Sequence, residues 1–327
     1  MINYSLTQKF LHKICLSNNF IKQISFEFDN FFIKNQYSNI LNNKHVFITG
    51  LARSGTTALL NFIYSQNIFA SLTYNDMPFI LAPKFSNLFK TKDFNKNFLR
   101  LHNDGIIYKN NSPEALDEVF WMTFNDEESN YYFPKYIYQI LKKYKQNRYL
   151  SKNNYNFKRL KKIKSIFPNS HFLITYRDPS QHAYSLFNQH KNFIEIQNKD
   201  KFILDYMNWL GHNEFGKGYI NWYESKIYGD NMNINHWLEQ WYLFYLNLLE
   251  TINDYDNLIL ISYEDLCNNP DISLNLIKKL ELSFTIKKNY FKSSNKIITE
   301  KLDIGLLEKA NVVYKKLQYS IKNVQNN

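Results

Sequence analysis

The sequence predicts an open α/β sheet of parallel strands flanked by helices on both faces. Three observations lead there. Several short runs are almost continuously apolar, among them His45–Thr49, His171–Tyr176 and Asn257–Ser262, and strands covered on both faces read this way. Longer stretches with helically spaced apolar residues separate these runs, as in βαβ units. The first run leads into Gly50-Leu51-Ala52-Arg53-Ser54-Gly55-Thr56-Thr57. This Gly-x-x-x-x-Gly turn followed by hydroxyl residues has the spacing of a loop that cradles phosphate, which makes the fold class P-loop-NTPase-like.

The elements follow in order. Up to Asn30, Phe10, Leu11, Ile14, Ile21 and Ile24 stand among polar residues, with no unbroken apolar core and no small-residue cleavage site. One or two amphipathic helices are expected there, not a signal peptide. His45–Thr49 is the first strand, and Thr56–Gln66 is the helix behind the loop. Ile68–Tyr74 reads as a second strand, stopped by Asn75-Asp76-Met77-Pro78. Ser112-Pro113 offers a hydroxyl cap with Pro at the first helical position, opening a helix over Glu114–Phe124. Tyr149–Ser151 is a short strand, followed by a basic helix over Tyr155–Ile166 that Pro168 terminates. The two remaining strands are His171–Tyr176 and Asn257–Ser262, with a helix carrying Ser185 after the former. Asn235–Tyr255 and Leu302–Ile321 read as helices.

No repeat or linker stands out, since the 8 Gly and 7 Pro are scattered. A single domain over 1–327 is expected, with a helical extension at 1–40, a core at 45–270 and a helical part at 271–327. Hydrophobic residues make up 44% of the chain and aromatics 17%, which suffices for a packed core and excludes a disordered chain. The net charge of +11 suits an acidic ligand, a nucleic acid or an anionic membrane surface. Lys is abundant beside Asn, Ile, Tyr and Phe, however, and drift toward AT-rich codons has the same effect. Cys15 and Cys267 form neither a disulfide framework nor a metal site by themselves. The most apolar later stretch, Trp241–Leu249, is too short to span a bilayer. A cytoplasmic protein without a transmembrane segment is the expectation.

In open α/β sheets ligands bind at the carboxyl ends of the strands. There the sequence has the loop itself, Asp76, Lys152, and Arg177-Asp178-Pro179. Arg53, Lys152 and Arg177 on one sheet edge describe a site for a multiply anionic ligand, without an acidic cluster to hold a metal. A nucleotide triphosphatase has Lys after the second glycine, to reach the β/γ-phosphates. Thr56 stands at that position here.

These blocks resemble the 3′-phosphoadenosine-5′-phosphosulfate (PAPS)-dependent sulfotransferases. Gly50–Thr57 is similar to that family's 5′-phosphosulfate loop, in the Arg-Ser-Gly-Thr-Thr form of Golgi-type and bacterial members. Arg177-Asp178-Pro179 with Ser185 looks like the 3′-phosphate block, and Ser262-Tyr263-Glu264-Asp265-Leu266 like a later Tyr-Glu-Asp block. The resemblance implies that Arg53, Ser54, Gly55, Thr56 and Thr57 hold the 5′-phosphosulfate and that Arg177 and Ser185 hold the 3′-phosphate. It implies catalytic roles for Arg53 and Lys152 toward the sulfuryl and leaving groups, with PAPS as co-substrate and no metal. Lys152 matches a Lys-x-His element of the cytosolic branch, but Asn154 occupies the position of the catalytic His and is no base. A carboxylate after the loop helix serves some members, and Asp76 is the first candidate here. Glu118, Glu114 and His212 are the others.

The implied reaction is sulfuryl transfer to a hydroxyl or amine of an acceptor, with a glycan, glycolipid or small alcohol as the acceptor classes. A P-loop kinase or NTPase is the alternative, opposed by Thr56. A basic nucleic-acid-binding protein is a further one, opposed by the lack of clustered Lys/Arg interleaved with aromatics. Without the other blocks, Arg177 reads as a surface ion-pair residue, and Asp76 as a cap of its turn. Glu264 and Asp265 read as caps of the following helix. Trp121, Trp237 and Trp241 sit among helically spaced apolar residues and read as core. Gly211–Gly216 reads as a turn between helices or as a loop over the acceptor. Ser293–Lys296 falls where the family often closes a loop over the adenosine.

Overall fold

The computed structural model describes residues 4–31, 37–89, 98–99, 107–282, 290–293, 295–320 and 322–324. From its start the chain forms two consecutive helices, α1 (Leu6–Ser17) and α2 (Asn19–Phe31). A capping box begins α1, with Ser5 Oγ accepting the Gln8 N–H and Gln8 Oε1 accepting the Ser5 N–H. Strand β1 (Val46–Thr49) runs through the loop into α3 (Thr56–Tyr64), followed by β2 (Phe69–Ala70). A small antiparallel pair, β3 (Phe98–Leu99) and β4 (Ile107–Tyr108), precedes helices α4 (Glu118–Thr123) and α5 (Asp126–Tyr144). Next come β5 (Arg148–Lys152), α6 (Leu160–Ile166), β6 (His171–Tyr176), α7 (Pro179–Lys199), α8 (Lys201–Leu210) and α9 (Ile234–Thr251). The chain ends with β7 (Leu258–Ser262), α10 (Tyr263–Asn268), α11 (Pro270–Lys279) and α12 (Ile304–Tyr319).

Five strands form one parallel sheet in the order β2-β5-β1-β6-β7. β1 is central, and all four of its residues are buried. Side chains alternate between the two faces of a strand, so the sheet divides the apolar residues into two layers. Phe47, Tyr149 and Phe172 join Phe120, Phe133, Ile163, Trp241 and Phe244 of the helices on one face. Val46, Ile48, Leu150 and Leu173 pack with Leu59, Ile63, Ile272 and Leu276 of α3 and α11 on the other. The edge of β7 is covered as well, because Lys322 O accepts from Leu260 N–H and Val324 N–H donates to Leu260 O.

The expected class is therefore present, an α/β fold with helices on both faces. Several boundaries differ from expectation, each for a tertiary reason. No helix starts at Pro113, because Pro113 bridges Thr73 and Glu114 N–H bonds Leu72 O, so α4 begins at Glu118. The strand expected over Ile68–Tyr74 is confined to two residues, since Tyr74–Asp76 turns into a 3-10 helix capped by Thr73. Asn153 likewise caps a 3-10 turn over Asn154–Arg159, so the basic helix starts at Leu160. Helices α5 and α8 had no counterpart in the sequence pattern. In α5 an internal Pro134 hides the helical signal, although an Asn125/Glu128 capping box opens it. Trp237 and Trp241 are buried in the core, and Trp121 packs against it. No helix among the described residues is long and apolar enough to cross a membrane.

Gly55 adopts φ +97°, and a Cβ there would stand 2.2 Å from the Tyr263 ring. Gly55→Ala should lower stability by about 2 kcal/mol or more through left-handed strain and this clash. Urea unfolding of Gly55→Ala beside Gly55→Ala/Tyr263→Ala separates the two contributions, since the second change should recover only the steric part.

Candidate active site

The loop after β1 is shaped by three left-handed residues, Gly50 (φ 132°), Arg53 (φ 70°) and Gly55 (φ 97°). Such a conformation in a non-glycine residue is strained and clusters at functional sites. It brings the loop onto the start of α3, whose N-cap Gly55 supplies no side-chain hydrogen bond. The first N–H groups of a helix need an outside partner, and an anion is the natural one.

Several neighbours fix this loop. Ser54 is fully buried, its Oγ donating to Leu51 O at 2.7 Å and sharing a 2.6 Å bond with Thr175 Oγ1. Its hydroxyl, expected to face a ligand, is thus spent inside the loop. His182 on α7 donates from Nε2 to Ala52 O at 2.8 Å. Burial pushes its pKa down to about 3, so it supports the loop as a neutral ring. Thr49 Oγ1 donates to Asn154 O and accepts from Phe157 N–H, which ties the exit of β5 to that of β1. Sequence reasoning missed His182, and it named Tyr263 within the Tyr-Glu-Asp block without placing it over Gly55. Only the position of His182, three residues before Ser185, hinted at the loop.

Arg53 reaches α7, its Nε 3.4 Å from Ser185 Oγ, so the two expected phosphate blocks touch. Arg177 is nearly buried, its Nε 3.7 Å from Glu264 Oε1 and its guanidinium 5.9 Å from the Tyr263 ring. Glu264 Oε1 also accepts the Asp178 N–H at 3.1 Å, so this carboxylate holds the Arg177–Asp178 corner. Burial raises the Glu264 pKa, against bonds that lower it. Asp265 N–H, by contrast, bonds the Ser262 cap. Lys296 exchanges two backbone bonds with the Gln181 side chain, while Ser294 lies outside the described residues.

Beside the loop lies a cavity of about 110 Å³. Arg53, Thr56, Thr57 and Lys152 line its polar end, with Glu114, His212, Glu214 and Tyr74. Phe193, Ile203, Met207, Leu210 and Phe215 form its apolar wall. Glu114 is nearly buried, one oxygen accepting from Tyr74 OH at 2.6 Å and the other from Ala115 N–H at 2.9 Å. His212 Nε2 bonds Ala115 O at 2.8 Å. A carbonyl only accepts, so Nε2 carries the proton and Nδ1 keeps the lone pair in the neutral ring. Asn154 Nδ2 donates to Glu214 Oε1 at 2.8 Å. The Gly211–Gly216 segment is the turn that one of its sequence readings expects. Gly211 caps α8 in the left-handed region, and the turn places His212, Glu214 and Phe215 on the cavity wall.

Two expected carboxylates stand elsewhere. Asp76 is fully buried and does not line the cavity. Lys143 Nζ lies 2.5 Å from it, and Tyr144 OH and Thr73 N–H each donate to it at 2.7 Å. The turn-capping reading describes Asp76, and its commitment to Lys143 and Tyr144 leaves it no access to an acceptor. Glu118 is held by both arms of Arg159 at 2.6 and 2.7 Å and by Asn153 at 2.8 Å. Its neighbour Asp117 accepts from Ser151 Oγ at 2.5 Å and Asn153 Nδ2 at 3.1 Å. These two carboxylates clamp the residues on either side of Lys152.

Residues 45–285 match the family model described as the sulfotransferase family. Among solved structures, sulfotransferase STF1 from Mycobacterium tuberculosis H37Rv is similar over 97% of this chain and 82% of its own, at 12% identity and TM-score 0.50. Sulfotransferase STF9 from Mycobacterium avium aligns over 98% and 79%, at 9% identity and TM-score 0.45. A sulfotransferase from Alicyclobacillus acidocaldarius aligns over 84% and 92%, at 10% identity and TM-score 0.40. The likeness to STF1 is one of fold. No curated protein matches the chain.

Two outcomes follow from the buried carboxylates. Lys143→Ala should cost about 3–5 kcal/mol in urea unfolding, because it leaves the Asp76 charge buried and unpaired. Burial raises the pKa of Asp117 to about 6. Its protonated form is thus favoured in the folded state, and this contribution is full below pH ~4 and lost as pH rises through ~6. Asp117→Asn should remove that dependence, roughly 3 kcal/mol between the two limits, from stability measured against pH.

Proposed function

This chain belongs to the sulfotransferase family, and from that premise we propose that PAPS is the donor and a hydroxyl on an apolar group the acceptor. The observation carrying this reading is the polar end of the cavity, where Arg53, Thr56, Thr57 and Lys152 meet Glu114 beside the uncapped start of α3. PAPS supplies the sulfuryl group and departs as adenosine 3′,5′-bisphosphate. Its anionic end suits a loop that has Thr56 in place of lysine, because a sulfuryl group carries less charge than a γ-phosphoryl group and needs no Mg²⁺ clamp.

In this reading the α3 N–H groups, Thr56, Thr57, Arg53 and Lys152 hold the 5′-phosphosulfate end and stabilise charge developing on the leaving phosphate. Gly55 and Ser54 serve by shaping the loop. Arg177 and Ser185 lie off the cavity wall and take the 3′-phosphate, Arg177 offering a planar fork. Glu114 accepts the proton of the attacking hydroxyl. It is favoured over Asp76 and Glu118 because it lines the cavity, and Tyr74 and Ala115 fix its two oxygens. The apolar wall excludes water and favours an alcohol or lipid over a polyhydroxylated glycan. The two cysteines are unpaired, in keeping with the proposed cytoplasmic setting.

Adenosine 3′,5′-bisphosphate should raise the melting temperature and ATP·Mg should not. The opposite pattern would favour the kinase alternative. Glu114→Gln should retain the bisphosphate shift while kcat falls about 10²–10⁴-fold, measured by ³⁵S transfer from labelled PAPS. If His212→Gln shows that loss and Glu114→Gln does not, the base is His212.

A further inference from the structure

We propose that Glu214 and Asn154 form a subsite for a protonated amine on the cavity wall, which makes the acceptor an amino alcohol on an apolar body. The hydroxyl half of that acceptor rests on the sulfuryl-transfer reading above. The amine half rests on the wall itself.

Glu214 lines the cavity and is half-buried. Its Oε1 accepts from Asn154 Nδ2 at 2.8 Å, and among the described residues no donor reaches Oε2 and no cation pairs with the carboxylate. Other acids near the loop differ. Asp76 has Lys143, Glu118 has Arg159 and Glu264 has Arg177, while Glu114 has a donor for each oxygen. Arg53 and Lys152 line the same cavity without an ion pair to Glu214.

Asn154 supplies the second observation. It also lines the cavity, is 3% exposed, and its Oδ1 is buried with no hydrogen-bond partner. A carboxylate only accepts, so the amide turns its NH₂ to Glu214 and Oδ1 is left as an acceptor. Burying such an atom without a partner costs about 1–3 kcal/mol. The backbone holds the residue in place, since Thr49 Oγ1 donates to Asn154 O at 2.8 Å and Asn153 caps the turn that Asn154 begins.

Both open positions are acceptors, so the group that meets them must donate. A hydroxyl would serve Asn154 but leave the Glu214 charge unbalanced in a largely apolar cavity. An ammonium satisfies both. The surrounding rings suit it too, because aromatic faces attract cations. Tyr74 and Tyr108 lie 4.4 Å apart, and Phe193 stacks on Phe215 at 6.2 Å, all four lining the cavity. Ile203, Met207 and Leu210 take the methylenes between the two polar ends.

A protonated amine has no lone pair to attack sulfur, so the hydroxyl is the nucleophile. Its oxygen forms the new O–S bond as the bond from sulfur to the donor's phosphate oxygen breaks. That electron pair leaves on adenosine 3′,5′-bisphosphate, and Glu114 takes the hydroxyl proton.

Calorimetric titration with aminohexanol, against hexanol of equal chain length, tests the subsite with and without adenosine 3′,5′-bisphosphate. Aminohexanol should bind about ten- to a hundredfold more tightly than hexanol. Its trimethylammonium analogue, which keeps the charge but lacks N–H donors, should bind more weakly than the amine. Glu214→Gln should bring aminohexanol and hexanol close to equality, and Glu214→Asp should keep part of the preference. The trimethylammonium comparison on the wild-type protein serves if Glu214→Gln does not fold. Equal binding of amine and alcohol to the wild-type protein overturns the proposal, as does a preference that survives in folded Glu214→Gln. A Glu214-dependent preference without a bisphosphate-induced rise in melting temperature would uphold the amine subsite and sink the donor reading instead.

Discussion

An uncapped helix start at the carboxyl end of a central, fully buried strand is the constraint around which this molecule is arranged. β1 delivers the chain to α3 through a short loop with three left-handed residues, and Gly55 leaves the first N–H groups of α3 without a side-chain acceptor. Such an end is stable only where an anion or water meets it, so the surroundings must hold the loop open without filling it. Ser54 against Thr175, His182 against Ala52 O, and Thr49 against Asn154 O do this from β1, β6, α7 and the β5 exit. Tyr263 closes over Gly55. Each support is neutral, so none competes with an incoming anion.

Charge is sorted by the same logic. A carboxylate close to the loop would repel an anion bound there, and the fold ties most nearby acids into structure. Asp76 is locked by Lys143, Glu118 by Arg159, Asp117 beneath Ser151 and Asn153, and Glu264 against the Arg177–Asp178 corner. Glu114 and Glu214 are the carboxylates that reach the cavity wall among the described residues. Glu114 is the more constrained, with a partner for each oxygen. Restraint of that kind suits the proposed role, in which the group meets a hydroxyl in one geometry.

Around the site, the helices make opposite uses of their two faces. α8 turns Ile203, Met207 and Leu210 toward the cavity, while Tyr206 also meets α1. The α1–α2 hairpin continues this layering outward, with aromatic packing beneath it.

The sequence by itself determined most strands of the parallel sheet, the loop and the cations at the sheet edge, because these depend on local signals. Continuous apolar runs, glycines at positions that need left-handed backbone, and an Arg directly after a strand are all readable one residue at a time. The proposed proton acceptor was not readable in that way. Asp76 and Glu114 follow the loop helix with similar turn chemistry, and only the packing of α5 brings Lys143 and Tyr144 onto Asp76. Likewise, pairing of Pro113 with Thr73 unwinds the expected helix start and directs Glu114 to the cavity. Helix α5 itself was hidden by Pro134, since its stability comes from burial against the sheet and not from local propensity. A carboxylate's role depends on which cations and N–H groups reach it, and distant parts of the chain supply those only when the tertiary structure forms.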